Sequence, residues 1–144
     1  MATGAGGALV KNQKIIRGRF NFEPGHHIIA LNGLKVPGKT PGSFESYLAG
    51  SAIEHIKHRK PEELPDRYFA NQIDRLSQIL VNVALFWSPE IIVLNGPVAK
   101  RYGSFLPSIR RKMKEMIQVF PVPQLTISAL DENAALLGGF SQKF

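Results

Sequence analysis

The stretch SPEIIVLNGPVA, residues 88–99, decides the fold class of this chain. Ser88 and Pro89 end a preceding helical pattern, and residues 91–94 are all aliphatic. A short apolar run that ends in Asn95-Gly96 is typical of a buried parallel strand. Ligands collect at the carboxyl ends of such strands, and a glycine there permits close approach of a flat base or ribose. The alternative for Asn95 and Gly96 is a plain strand-to-helix turn.

Helical patterns flank this strand on both sides. Upstream, apolar residues alternate spacings of four and three, which predicts one long amphipathic helix: Phe69, Ile73, Leu76, Leu80, Val83 and Trp87. Downstream, we predict a helix from about Ser104 to Ile117, a strand in QLTISAL (residues 124–130) and a closing helix over Glu132–Gly138. Strands that alternate with helices predict an α/β fold with parallel crossovers.

The segment between residues 18 and 60 joins a loop to a helix. Glycine and proline recur every few residues up to residue 42, so we predict mainly loop, with one strand at His27–Leu31. Ser43 is a good N-cap, and the apolar stripe that follows it predicts a single helix ending in a basic turn.

The chain begins with a glycine-rich segment. Thr3, Gly4 and Gly6 lie in a turn that leads into two short predicted strands, Ala8–Val10 and Lys14–Arg17, joined by an Asn-Gln corner. Glycines let backbone amides approach phosphate oxygens, and a threonine offers a hydroxyl. The same glycines are compatible with a tight hairpin that uses them for geometry alone, and a short glycine loop by itself decides nothing.

Composition limits the possible classes of protein. The 144 residues include 44% apolar residues, which is enough for one domain, and we take residues 1–144 as that domain. The chain has no cysteine, which excludes a disulfide framework and any thiolate metal site. Neither a membrane-length apolar run nor a signal-peptide pattern occurs, so we expect a cytoplasmic protein that does not span a membrane.

The net charge of +7 raises the question of a nucleic-acid partner. Part of the excess lies on one face of the helix predicted at Ser104–Ile117, opposite an apolar stripe, which is typical of an ordinary solvated helix. No recognition helix, zinc-finger spacing or aromatic interleaving is present. We therefore do not expect this chain to bind nucleic acid.

Five segments, in order along the chain, resemble the C-terminal half of the ROK family of repressors, open reading frames and sugar kinases. They are ATGAGGALV (2–10), similar to the family's second phosphate loop; EPGH (23–26), matching E-x-G-H; GSFESYLAGSAI (42–53), matching G-C-x-E and a small-residue helix; SPEIIVLNGPVA (88–99); and ENAALLGGF (132–140). The resemblance implies the C-terminal lobe of an actin-like ATPase (ribonuclease H-like) fold, with a mixed sheet and flanking helices.

The resemblance also implies roles for particular residues. Glu23, His26 and Glu45 would contact a hexose or N-acetylhexosamine, since carboxylates accept hydroxyl hydrogens in a fixed geometry. The phosphate and nucleotide contacts would be Thr3, Gly4, Gly6, Asn95 and Gly96, with ATP and Mg²⁺ as the implied cofactors. For Glu45 there is also an ordinary explanation, because glutamate in the first turn of a helix is favoured by the helix dipole.

One loop departs from the family pattern. The family's histidine commonly binds zinc with three cysteines of a C-x-C-G-x-x-G-C loop, whereas this chain has Lys35, Pro37 and Ser43 at those positions and one extra residue between Gly38 and Gly42. A single histidine, His26, cannot make a four-ligand zinc site. We therefore expect no zinc, and prolines that stiffen the loop instead.

Half of the family's active site has no counterpart here. The family's kinases have an N-terminal lobe with an Asp-x-Gly phosphate loop and an Asn-Asp pair, and neither motif occurs in this sequence. We therefore expect the isolated chain to be inactive, to need that missing lobe and, with a sheet edge left unpaired, to form a homo-oligomer. The alternatives to a kinase lobe are the sugar-binding effector domain of a ROK transcriptional regulator and a truncated product that folds but only binds a ligand or has no activity.

Overall fold

The computed structural model describes residues 1–130, and within them two strand pairs form two sheets. Strands β1 (Leu9–Lys11) and β2 (Lys14–Ile16) pair antiparallel around the predicted corner, where Asn12 and Gln13 have φ values of 51° and 61°. Such positive φ values suit a two-residue hairpin turn. The hairpin prediction is confirmed within one residue at each strand end.

The apolar run within residues 88–99 is one strand of a parallel pair. Strands β3 (Ile91–Leu94) and β4 (Gln124–Ile127) run parallel, with Ile91 opposite Gln124 and Leu94 opposite Ile127. The α/β class and the parallel crossover are confirmed. Within residues 1–130, however, the antiparallel and parallel pairs are two separate sheets and do not join into one mixed sheet.

Six helices accompany these strands in the part of the chain that the structure describes: α1 (Phe44–Leu48), α2 (Gly50–Lys57), α3 (Asp66–Ala70), α4 (Ile73–Trp87), α5 (Pro97–Lys100) and α6 (Leu106–Met116). Short 3-10 turns cover Pro24–His26, Pro61–Glu63 and Gly103–Phe105. The helix and motif predicted after residue 131 lie outside the described residues. No helix within residues 1–130 is both long and apolar enough to cross a membrane.

The helix predicted after Ser43 is two helices. Ser43 is the N-cap as predicted, and its Oγ accepts a hydrogen bond from Ser46 N at 3.4 Å. Ala49 then adopts an extended conformation, because the amide of Gly50 donates to Ala2 O at 2.6 Å rather than to its own helix. A contact with the N-terminal segment therefore divides the helix, and local sequence gives no sign of it.

The helix predicted over Phe69–Trp87 is also divided. The amide of Gln72 donates to Phe69 O at 2.9 Å, a tighter turn than the α-helical one, and this turn separates α3 from α4. Phe69 is fully buried and packs edge-on against Tyr102, with the ring centroids 5.4 Å apart. The predicted end of α4 at Ser88 is confirmed, since Ser88 has a left-handed φ of 46°.

The strand predicted at His27–Leu31 is wrong. Only a single antiparallel bridge forms there, between Ile28 and Ser43. The amides of Ile29 and Ala30 both donate to Gly42 O, at 2.9 and 3.2 Å, so the backbone closes a loop instead of extending along a neighbour.

Helices α4 and α6 pack together at the centre of the core. Their buried residues include Leu76, Ile79, Leu80, Ile109 and Met113, while the basic residues Arg110 and Arg111 of α6 remain exposed, as the amphipathic pattern predicts. The expected burial of β3 is wrong on one face within residues 1–130. Leu94 is buried, but Ile91 and Val93 are 47% and 53% exposed.

Candidate functional site

The glycine-rich segment lies across the N-terminus of α2. Ala2 O accepts the amide of Gly50, and Thr3 O accepts both the hydroxyl of Ser51 at 2.7 Å and its amide at 3.4 Å. This anchoring fixes the start of the segment and directs the following glycines along the face that carries Glu45. Within residues 1–130, the amides of Gly6 and Gly7 donate no hydrogen bond, which leaves these two donors available to a ligand.

Glu45 is the most buried carboxylate of the candidate site. It lies in the first turn of α1 and its side chain is 9% exposed. Its Oε1 accepts the amide of Ala5 at 2.5 Å, and its Oε2 is 3.1 Å from the ammonium of Lys39. The carboxylate therefore joins the glycine segment on one side to the loop of residues 33–43 on the other.

These contacts keep Glu45 ionised. Burial raises the pKa of its carboxyl, but the Ala5 amide, the hydrogen bond and charge of Lys39, and the charge of His26 together outweigh burial and hold the pKa below its usual value. A carboxylate that stays charged can only accept hydrogen bonds. Glu45 is therefore an acceptor for hydroxyl groups and not a proton donor at neutral pH.

Two glycines make this close packing possible. A methyl group on Gly25 would lie 2.0 Å from Ala5 O, and one on Gly4 would lie 2.6 Å from Glu45 Oε1. At Gly6 the nearest atom, Glu23 Oε2, would be 3.9 Å away, so there is room for a ligand or a side chain at Gly6. At Gly7 the space is again filled, since a methyl group there would lie 2.8 Å from Pro24 Cγ.

Glu23 and His26 lie near the same segment on more exposed positions. Glu23 precedes the Pro24–His26 turn and, with His27 and Trp87 among the other residues, lines a shallow surface depression. The Nδ1 of His26 is 3.3 Å from Thr40 Oγ1, which places His26 beside the loop that carries Lys39. Glu23 thus lies beside Gly6, while His26 and Glu45 both contact the loop, through Thr40 and Lys39 respectively.

Asn95 and Gly96 lie at the carboxyl end of β3, as predicted. The Asn95 carbonyl accepts a hydrogen bond from the amino group of Met1, and the amide of Val98 donates to Met1 O at 3.2 Å. Gly96 has a φ of +100°, and a methyl group there would lie 2.4 Å from Met1 O. The structure connects this turn to Thr3 through Met1 and Ala2.

The residues of the 33–43 loop do not fit a zinc ion. Within residues 1–130, no three His, Asp or Glu side chains are close enough to hold a metal. Of the positions where the family has thiolates, Lys35 is a cation, Pro37 has no donor atom, and the Ser43 hydroxyl is 3.2 Å from the Ser46 hydroxyl. Hard cations need several oxygen ligands, and zinc prefers thiolate and imidazole, so this donor set suits neither.

Two contributors to the site were not found from sequence. Lys39 is one of four lysines or arginines between residues 17 and 39, Arg17, Arg19, Lys35 and Lys39, and nothing in the pattern distinguishes it. Ala5 acts through its backbone amide, so its side chain carries no signal. The single hint was the position of Lys39, six residues before Glu45 in a loop that resembles a metal site without its ligands.

Comparison with known proteins gives a consistent result. A family model described as ROK family matches residues 1–142. The chain is 27% identical to a fructokinase of Pediococcus pentosaceus over 96% of this chain and 52% of that protein. It is 24% identical to an N-acetylmannosamine kinase of Vibrio vulnificus strain YJ016, over 99% of this chain and 54% of that protein.

A solved structure extends the likeness to three dimensions. A ROK family glucokinase from Streptomyces griseus, in complex with glucose and AMPPNP, superposes with a TM-score of 0.75 at 21% identity. The match covers 96% of this chain and 56% of that one, so the chain spans about half the length of the proteins it matches. At this level of identity the likeness shows the fold, which is that of the actin-like ATPase C-terminal lobe.

Proposed function

The chain belongs to the ROK family, and on that premise we propose that it supplies the sugar- and nucleotide-contacting lobe of an ATP-dependent sugar kinase. The substrate class is a hexose or N-acetylhexosamine, and the reaction is phosphoryl transfer to a sugar hydroxyl. The kinase names of the relatives support this class.

One contact carries the proposal. The hydrogen bond of 2.5 Å from the Ala5 amide to Glu45 Oε1 joins the candidate phosphate segment directly to the candidate sugar carboxylate. Phosphoryl transfer depends mainly on holding the acceptor hydroxyl and the transferred phosphoryl group side by side. The glycine segment would hold the two groups side by side if Gly4 and Gly6 contact phosphate while Ala5, between them, orients the Glu45 carboxylate.

The three polar side chains take different parts in the proposed sugar site. Glu45, charged and nearly buried, accepts hydroxyl hydrogens in a fixed direction. Glu23 and His26, both exposed within residues 1–130, complete the site from the Pro24–His26 turn. Two carboxylates on one small ligand favour a polyhydroxylated compound, because each can accept two hydroxyl hydrogens at a time.

ATP would lie against the glycine segment and the turn at the end of β3. Thr3, Gly4 and Gly6 would face the phosphates, while Asn95 and Gly96 would lie towards the nucleoside. The available amides of Gly6 and Gly7 and the open space at Gly6 suit an anion there. Bound Mg²⁺ would neutralise phosphate charge, held largely by the nucleotide itself, as is usual for this ion.

The absent motifs lead to a further part of the proposal. Without an Asp-x-Gly loop or an Asn-Asp pair, none of the residues placed in this site removes the proton from the sugar hydroxyl. We expect ADP release by the chain alone to stay at background with hexoses. Turnover above background that disappears in a Glu45→Gln variant would contradict this.

Binding is therefore the experiment that tests the proposal. Calorimetric titration with fructose, N-acetylmannosamine and glucose should give a saturable signal for at least one sugar. Glu45→Gln should lower its affinity about tenfold or more, since a hydroxyl hydrogen bond to a charged acceptor contributes roughly 1.5–3 kcal/mol. Glu54→Gln is the matched control, because Glu54 is an exposed glutamate on the adjacent helix α2. Equal affinity in both variants would overturn the sugar role of Glu45.

The alternative is the effector domain of a ROK transcriptional regulator. A pure sensor would bind sugar but would have no need of the glycine segment. Titration with a non-hydrolysable ATP analogue separates the two. Binding that weakens when Gly6 is replaced by a bulkier residue favours the kinase lobe, and sugar binding with no nucleotide binding favours the sensor.

A further inference from the structure

The loop of residues 33–43 is closed by contacts within the protein. The amide of Gly42 donates to Leu34 O at 2.9 Å, and the amide of Leu34 donates to the Tyr47 hydroxyl at 2.9 Å. The Ser46 hydroxyl donates to Thr40 O at 2.7 Å. Leu34 and Thr40 are thus attached to α1, the helix that carries Glu45, and Gly42 closes the loop on Leu34.

Lys39 points inward from this loop. Its side chain is 15% exposed, although lysine is among the residues least often buried, whereas Lys35 of the same loop is exposed. Its ammonium lies 3.1 Å from Glu45 Oε2. A charge removed from water at this depth needs a partner, and Glu45 is that partner. The pair is therefore much less exposed than an ordinary surface ion pair.

We propose that Lys39 is a positioning residue for sugar binding, whose ammonium fixes the Glu45 carboxylate in a loop that folds without metal. This inference rests on the sugar role of Glu45 proposed above. Ala5 holds one carboxylate oxygen and Lys39 holds the other, so rotation of the carboxylate group is blocked. In this proposal the Lys39 ammonium is the fixed positive charge that orients the sugar-binding carboxylate.

The same geometry limits what Glu45 can bind. A carboxylate offers about four acceptor positions on its two oxygens. One position on each oxygen is already occupied, by Ala5 and by Lys39. The remaining positions suit two hydroxyl donors of one ligand, such as a vicinal diol, and they repel a ligand that brings an anionic group to this point.

Three variants of the whole chain test the role of Lys39. Lys39→Met removes the ammonium, Lys39→Arg keeps a positive charge, and Lys35→Met makes the same charge change at the exposed position of the same loop. With the glutamates ¹³C-labelled at the carboxyl carbon, NMR titration should show the pKa of Glu45 rising in Lys39→Met, staying close to that of the unmodified chain in Lys39→Arg, and unchanged in Lys35→Met. Equal carboxyl pKa values in the two methionine variants would overturn the proposal.

Sugar affinity then distinguishes positioning from mere support of the fold. Lys39→Met should weaken binding of the best sugar about tenfold, while Lys39→Arg recovers most of that loss and Lys35→Met changes it less than twofold. A sugar affinity unchanged in Lys39→Met, with a raised carboxyl pKa, would overturn the positioning role. Excess chelator should leave the melting temperature of the unmodified chain unchanged, and a fall would contradict a metal-independent loop.

The two proposals fail in different ways. If the unmodified chain binds no sugar, the proposed function fails and the positioning role in sugar binding is overturned with it. The carboxyl titration still decides in that case whether Lys39 holds Glu45. If the chain binds sugar and Lys39→Met behaves like the unmodified chain, the proposed function stands and the Lys39 inference is overturned.

Discussion

The Lys39–Glu45 and Arg101–Asp66 pairs each hold a loop or turn, and they are built in opposite ways. In the Lys39–Glu45 pair the carboxylate is the fixed member, because its side chain is 9% exposed and also accepts the Ala5 amide. In the Arg101–Asp66 pair the carboxylate side chain is 77% exposed, and the guanidinium is the member that is held.

Arg101 owes little of its position to the charge of Asp66. Its guanidinium donates to Leu64 O at 2.7 Å and Glu62 O at 3.3 Å, and it lies over the Phe69 ring, 4.7 Å from the centroid. It therefore ties the turn before α3 to the end of α5. What a salt bridge contributes to stability therefore depends on the other partners of each of its two charges.

The largest expected effect is on the Arg101 side. Arg101→Met should lower the free energy of unfolding by about 3 kcal/mol, because two backbone carbonyls lose a charged donor and the contact with Phe69 is weakened. Urea unfolding followed by the fluorescence of Trp87, the single tryptophan, measures it. Arg67→Met, at an exposed arginine of α3, is the control and should cost less than about 0.5 kcal/mol. Equal losses of unfolding free energy in both variants would show that the backbone carbonyls and Phe69 give Arg101 no special role in stability.

A smaller effect is expected from crowding the fixed carboxylate. Gly4→Ala would place a methyl group 2.6 Å from Glu45 Oε1, so the carboxylate must shift away from Ala5. We expect a loss of about 1–2 kcal/mol in the free energy of unfolding. Gly6→Ala is the matched variant, with its nearest atom at 3.9 Å, and should be close to neutral in the same urea experiment. A neutral Gly4→Ala would mean that Glu45 is not held as tightly as the contacts indicate.

The next effect depends on pH. The pKa of Glu45 is lowered in the folded state from its ordinary value of 4.5, so the carboxyl contributes stability that is present above pH 4.5 and is lost as pH falls through the folded-state pKa. The chain should therefore be more stable than Glu45→Gln at pH 7, and the difference should shrink below pH 4.5. Unfolding curves of both proteins between neutral and acid pH check this. A difference that grows towards acid pH would show that the sign of the shift is wrong.

The smallest effect should come from the exposed carboxylate. Asp66→Ala removes the only ionic partner of Arg101 within residues 1–130, yet it should cost less than about 1 kcal/mol, since an exposed ion pair contributes little. Added salt should change the stability of the unmodified chain and of Asp66→Ala almost equally. If Asp66→Ala lowered the free energy of unfolding as much as Arg101→Met, the ion pair and not the bonds to the two backbone carbonyls would hold Arg101 in place.

The sequence predicted those elements whose causes are local. The β1–β2 corner, the Ser43 N-cap, the end of α4 at Ser88-Pro89 and the apolar stripe of α6 each follow from a few neighbouring residues. The predicted site residues also came from local motifs. Of these, Gly4, Gly6, Glu23, His26 and Glu45 lie along one part of the molecule, and Asn95 and Gly96 connect to it through Met1.

The failures have a common physical origin. Two of the misplaced elements are decided by an atom distant in sequence: Ala2 O divides the helix after Ser43, and Gly42 O turns the segment predicted as a strand into a loop. The division of α3 from α4 coincides with the packing of Phe69 against Tyr102. No window of neighbouring residues contains that information.

By itself, then, the sequence determined the α/β class, the family, the caps and turns, and the residue types available to the site. Tertiary structure decided which groups meet. Glu45 became a fixed, charged acceptor only because the backbone of Ala5, 40 residues away, and the side chain of Lys39 both reach it. A sequence motif specifies only which side chains occur at a fixed spacing. The strength of a carboxylate as a hydrogen-bond acceptor depends on its burial and on its partners, which only the folded chain brings together.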